Sequence, residues 1–201
     1  MNELVTVAIV VPCNNVEHIV DECINSLIRQ KYPQDKFSII AVNDGSTDNT
    51  REHLEVFKKH PNFYLFNHEK NKGLSATRNT GIKNSHSEIV CFLDSDMVIK
   101  PDWLQLIVAE FVAEEVIGVI GDTTLPKGES PNMLDHYFYS AKRGARQFEE
   151  NSAIGWRWFL FNNTAVKRSA IKKTGLFDET FTSYGGQDTD MAIRLWRNFP
   201  D

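Results

Sequence analysis

Four apolar runs of strand length set what this chain can become: residues 5–11 (VTVAIVV), 37–42 (FSIIAV), 63–66 (FYLF) and 89–93 (IVCFL). Each runs into polar residues and is followed by a helical stretch. Ile19, Cys23, Leu27 and Ile28 share one helical face; Leu54, Val56 and Phe57 belong to the next; Trp103, Leu104, Ile107, Val108 and Phe111 form the last. A strand that is apolar without alternation must be covered on both sides, as in a parallel sheet between helices. A fifth run follows at 116–120 (VIGVI). The alternation predicts an α/β fold, a doubly wound and mainly parallel sheet with right-handed crossovers.

Ligands of such sheets lie beyond the carboxyl ends of the strands. Asn14 and Asn15 follow the first run, residues 43–48 (NDGSTD) the second, and Asp94-Ser95-Asp96 the fourth, so these clusters should share one crevice. At the end of a strand Asp94 and Asp96 point the same way, because side chains repeat every two residues. Neighbouring carboxylates repel unless a cation sits beside them. The chemistry that suits them is a hard divalent metal, Mg²⁺ or Mn²⁺, completed by phosphate oxygens of a substrate. The plain alternative is a strand-end turn with solvated acids.

The second half is less regular. Residues 127–130, between Pro126 and Pro131, read as a loop, and 133–148 as a helix carrying Lys142, Arg143 and Arg146. A solvated charged face is the default for those three. Residues 156–161 (WRWFLF) read as a strand or wall element ended by residues 162–164, with Trp156 and Trp158 as core or as sugar-stacking platforms. A short helix is expected at 167–173. Residues 184–190 (YGGQDTD) open a final helix with Met191, Ile193, Leu195 and Trp196 among its apolar members. Asp188 at its start is a helix cap or a functional acid.

Composition removes several classes. The formal net charge of -5 supplies no basic field, so no nucleic-acid partner is expected. Cys13, Cys23 and Cys91 are odd in number and lack CxxC spacing, which reads as a reducing compartment without structural zinc. No stretch approaches the roughly 18–20 apolar residues of a membrane span, and the first run has no cleavage site after it. The expected location is the cytoplasm, with any membrane association peripheral and on the inner face. The chain stops at Asp201, directly after its last helix, which reads as a piece of something longer.

Seven segments in this order resemble a family 2 glycosyltransferase with the GT-A fold. They are VAIVVPCNN at 7–15, VNDGSTDNT at 42–50, NKGLSATRNTGI at 71–82, FLDSDM at 92–97, NNTAVKRSA at 162–170, GLFDETF at 175–181 and GGQDTDMAIRLW at 185–196. The resemblance implies one domain over 1–201, with a nucleotide-binding half at 1–125 and a donor-sugar and acceptor half at 126–201. It implies a nucleotide-sugar donor, usually a UDP-sugar, with Mn²⁺ or Mg²⁺ and a carbohydrate or lipid-linked acceptor.

Carried over by position, Pro12 and Asn15 sit in the first nucleotide-binding loop, and Asp44 resembles the acid that contacts the base. Arg78 matches the arginine near the nucleotide. Asp94 and Asp96 match the D-x-D pair, the first facing ribose or sugar and the second ligating the metal. Asn163 resembles a residue lining the donor-sugar pocket. Asp188 matches the general base of an inverting transfer, with Asp190 as its understudy. On a helix those two lie about 200° apart, so both should not face the donor. Three positions depart from the family pattern. Asn14 stands where a tyrosine is usual, Val16 where an acid is common, and Gln187 where a glutamate precedes the base.

Two rivals remain at this level. A haloacid-dehalogenase-type phosphatase would use Asp94 as nucleophile and Asp96 as general acid. A non-catalytic nucleotide-sugar-binding domain would keep the pocket without the chemistry.

Overall fold

Six strands form one sheet in the order β3-β2-β1-β4-β6-β5. The computed structural model describes residues 4–125, 132–140, 144–150, 152–181 and 185–200. Strands β1 (Val7–Cys13), β2 (Phe37–Asp44), β3 (Phe63–His68) and β4 (Ile89–Leu93) are mutually parallel. Helices α1 (Val20–Ile28), α2 (Thr50–Glu55) and α3 (Leu74–Lys83) connect them in turn, and α4 (Trp103–Ala109) follows β4. From β1 the chain moves outward to β2 and β3, then returns to place β4 on the other side of β1. That reversal opens a crevice between the ends of β1 and β4, where sheets of this kind take ligands.

Both faces of β1, β2 and β4 are covered, as continuous apolar strands require, while β3 is partly exposed at the edge. Val7, Ile9, Val11 and Cys13 pack with α1, α2 and α4 on one face. Val10, Val90 and Phe92 pack on the other with α6 (Arg168–Thr174), α7 (Gln187–Asn198), Phe161 and Phe177. The three cysteines are buried and unpaired. Burial, helped by the charges of Asp96 and Asp94, pushes the Cys23 thiol up to about 12. No helix among the described residues is long and apolar enough to cross a membrane.

Several boundaries differ from the sequence reading. Pro12 lies inside β1, opposite Val42 of β2, rather than closing the strand. The pairing of β1 with β4 has already ended at Val10 and Phe92, so Pro12 needs no N–H on that side. The aromatic run is no strand. Trp156–Trp158 is a 3-10 turn, and Phe161 is buried edge-on against Phe92, Phe159 and Phe177. The strand β6 (Asn163–Lys167) begins where the run was expected to end, and it pairs antiparallel with β4.

The short fifth strand β5 (Gly118–Ile120) reaches the sheet only through β6, antiparallel to it. The helix expected at 133–148 is α5 (Met133–Phe138) and a separate 3-10 turn, Gly144–Gln147. Gly144, the first residue of that turn, has φ +60, a conformation outside the right-handed helix. The loop expected at 127–130, Lys142, Arg143 and Tyr184 lie outside the described residues.

Candidate active site

The end of β4 is fixed by backbone bonds. Asp94 N–H donates to Asn162 O at 2.9 Å, and Met97 N–H turns back to Asp94 O at 3.2 Å. Ser95 is buried and Asp96 exposed, so the two acids leave the turn on its open side. Burial raises the Asp94 carboxyl to about 6; Arg78 draws it down, while the charges of Asp96 and Asp188 push it further up.

Arg78 stands behind these acids rather than beside solvent. It is 1% exposed, in the middle of α3. Its guanidinium donates to Asp188 Oδ1 and, at 2.8 Å, to the Phe161 carbonyl, and it lies 3.8 Å from Asp94 Oδ1. The rings of Phe177 and Phe161 cover it at 5.2 and 5.8 Å. A buried guanidinium is tolerable only when paired, and its planar fork lets it meet two carboxylates and a carbonyl at once. Asp94 and Asp188 are thereby brought to one guanidinium.

Asp188 is in the first turn of α7, where the helix dipole favours a carboxylate. Its second oxygen accepts from Phe161 N–H at 3.1 Å. Asp190 is turned elsewhere and pairs with Arg194 one turn on, at 2.7 Å. Gln187 is buried, and its Oε1 has no hydrogen-bond partner among the described residues.

The loops after β1 and β2 are fastened together and form the opposite wall. Asn15 Oδ1 accepts from Thr47 N–H at 2.8 Å, and Ser46 Oγ accepts from Asn15 N–H at 3.0 Å. Asn15 has φ +54, which asparagine tolerates better than most residues. Asn14 Nδ2 donates to Asp44 O at 2.8 Å. Asp44 itself is buried, and its oxygens accept from Lys72 N–H and Gly73 N–H, both at 2.9 Å.

Asn163 is also buried and acts as a brace in the protein's own framework. Its Oδ1 accepts from Trp103 Nε1 at 3.0 Å, and its Nδ2 donates to Asp122 O at 3.1 Å. Arg146 completes this strut, which corrects the solvated-face reading for that residue. It donates to Asp122 Oδ1 at 2.6 Å and to Thr123, and it lies over the ring of Tyr139. Trp103, Asp122 and Phe161 were not picked out as site residues, because what they do depends on partners distant in sequence. Trp156 and Trp158 are half-buried, and Trp158 packs edge-on against Phe148.

The acids suit a hard cation with few protein ligands. Asp96 is exposed, and its charge adds to the burial that chiefly raises the Asp94 carboxyl. No group of three or more metal-ligating side chains gathers among the described residues. One or two carboxylates, with water and phosphate filling the remaining positions, is how Mg²⁺ is usually held, and a closed zinc site needs more.

The model of glycosyl transferase family 2 matches residues 8–179. The chain belongs to that family. Among curated relatives of this family 2 chain, the glycosyltransferase GlyA of Streptococcus pneumoniae is 32% identical over 144 residues, 72% of this chain and 20% of that protein. The chain spans half or less of the length of such relatives. The S. aureus protein TarS, solved with UDP-GlcNAc, superposes with TM-score 0.75 at 24% identity, over 96% of this chain and 54% of that one. A mannosyltransferase from Pyrobaculum calidifontis, solved with GDP-Man and Mn²⁺, gives TM-score 0.74 at 21% identity, over 98% and 54%. The architecture of this family 2 domain is therefore GT-A, and the phosphatase alternative loses its footing.

Proposed function

We propose that the chain carries the donor-binding and catalytic part of an inverting glycosyltransferase. The donor is a nucleoside-diphosphate sugar, UDP-sugars first, and the acceptor a hydroxyl of a glycan, a polymer end or a lipid-linked sugar. One observation carries the reading: a single buried guanidinium, Arg78, touches Asp188 and stands 3.8 Å from Asp94. The acid proposed for proton removal and the acids proposed for the donor thus face one cleft at the switch point of the sheet.

In this reading Pro12, Asn15 and Asp44 line the nucleotide side, and Asp94 faces the ribose or the sugar. Asp96, with Asp94 beside it, would hold Mg²⁺ or Mn²⁺, and that ion supplies positive charge to a departing diphosphate. A sugar hydroxyl is a poor nucleophile, so a fixed carboxylate must take its proton as it attacks the anomeric carbon. Asp188 is suited to that because Arg78 and the Phe161 N–H hold its two oxygens in one orientation. One base opposite the leaving group gives a single displacement with inversion. Asn163 supports the donor-sugar side through Trp103 and the Asp122 backbone. A lipid-linked acceptor would bring the protein to a membrane as a peripheral partner; nucleic acid has no part in the scheme.

A panel of nucleotide sugars, with Mn²⁺ and with chelator, tests this. Turnover or slow donor hydrolysis should appear with Mn²⁺ and vanish with chelator. Asp188→Asn should lower the rate by about 10²–10⁴, the usual worth of a positioned base, while UDP binding survives. A variant as active as the wild type would remove Asp188 from the role. Donor binding without turnover of any sugar would leave the non-catalytic alternative standing.

A further inference from the structure

The end of β3 carries a histidine that no motif singles out. β3 continues two residues beyond the expected 63–66, and its register sets His68 directly opposite Asp44 of β2. His68 Nδ1 lies 2.6 Å from Asp44 Oδ1, and His68 Nε2 lies 2.9 Å from Thr80 Oγ1 of α3. The side chains of His68 and Asp44 are 7% and 5% exposed.

The proton positions follow from counting donors. Lys72 N–H points at one Asp44 oxygen and Gly73 N–H at the other, so the carboxylate is an acceptor on both sides. His68 Nδ1 must then carry its hydrogen toward Oδ1. At the far end the Thr80 hydroxyl has two uses: it can donate to Nε2, or accept from it while donating to Ala76 O at 3.0 Å. His68 is therefore held in place whichever way that hydroxyl turns.

An ionised carboxylate offers about four lone-pair positions. Two on Oδ1 are taken by His68 and Lys72, and one on Oδ2 by Gly73. One position on Oδ2 is left. It can only accept, so it suits an N–H of a bound base.

We infer that His68 is a positioning residue for base recognition, which with the Lys72 and Gly73 amides fixes Asp44 as an acceptor toward an N–H of the base. This rests on the proposed role of Asp44 in holding the base. Calorimetric titration of the protein with UDP and GDP, in Mn²⁺, tests it. His68→Phe should lose about tenfold in UDP affinity, and His68→Asn, whose amide N–H can stand at the Nδ1 position, should restore most of it. Thr80→Val removes only the far anchor and should cost less, about threefold.

A folded His68→Phe protein that binds UDP as the wild type does overturns the positioning role. If that variant does not fold, unchanged UDP affinity in Thr80→Val overturns it instead. Failure of the wild type to bind UDP or GDP would sink the nucleotide reading itself, and the inference with it.

Discussion

The parallel part of the sheet and the segment after β5 hold their functional side chains in different ways. In the first, acids are fastened by nearby backbone N–H groups: Asp44 by Lys72 and Gly73, Asp48 by Glu17 and Thr50. Those contacts come with the topology, since strand ends and helix starts meet in the same crevice. In the second, side chains hold side chains. Arg78 grips Asp188 across 110 residues, and Arg146 grips Asp122. Met133, Leu134, Tyr137 and Leu160 are exposed there, while the strands β1 and β2 expose no large apolar residue. A backbone-built wall suits a constant ligand part such as a nucleotide. A wall built from long side chains can be altered one residue at a time, which suits parts that vary.

The greatest contrast is expected at Arg78. Arg78→Met leaves Asp188 Oδ1 and the Phe161 carbonyl without the guanidinium donor, so it should cost about 3–5 kcal/mol by the cost of breaking a buried pair. Chemical denaturation measures it. A loss below about 1 kcal/mol, typical of exposed pairs, would mean that the second region is not braced by this contact. Arg78→Lys should recover part of the stability but hold only one carboxylate well.

Asp94 should give a smaller effect with a telling sign. Its carboxyl is raised to about 6 in the folded protein, so the folded state holds that proton more tightly than the unfolded chain. Stability from this group is therefore greatest at low pH and falls as pH rises from the usual carboxylate range through about 6. The side chain is 39% exposed, so the effect is screened, to below about 1 kcal/mol. Thermal melts at pH 4.5 and 7.5 should show a shallower fall for Asp94→Asn, with nucleotide-sugar binding weakened. A steeper fall in the variant would reverse the sign of the argument.

The smallest change is expected on α5. Leu134→Ser on its exposed side should alter stability by less than about 0.5 kcal/mol. A loss of several kcal/mol on denaturation would show that this surface is covered, and would erase part of the contrast between the two regions.

Legibility in the sequence follows the same division. β1, β2 and β4 could be read because apolar runs covered on both faces leave no other use for such residues, and β3, a partly exposed edge strand, because its run is apolar and of strand length. β6 could not, because it begins with Asn163 and Thr164, both buried, whose polar groups are satisfied by Trp103, Asp122 and Leu160. Buried polar residues carry no periodic signal. Asp94, Asp96 and Asp188 were marked by motif, yet the guanidinium that joins Asp94 to Asp188 was assigned only to the neighbourhood of the nucleotide. His68 was passed over because its meaning lies in strand register, which two extra residues of β3 determine.

β6 also sets an order of assembly. The layer β3-β2-β1-β4 draws its pairings from residues 7–93, whereas β5 at 118–120 meets the sheet only through a strand formed by 163–167. During synthesis the first four strands can zip as soon as β4 emerges. Gly118, Val119 and Ile120 must wait for a later partner, keeping three apolar or small residues unpaired while the ribosome adds the next forty or so, at roughly 5–20 residues per second. The β6-β5 side of the sheet is thus the last part to close.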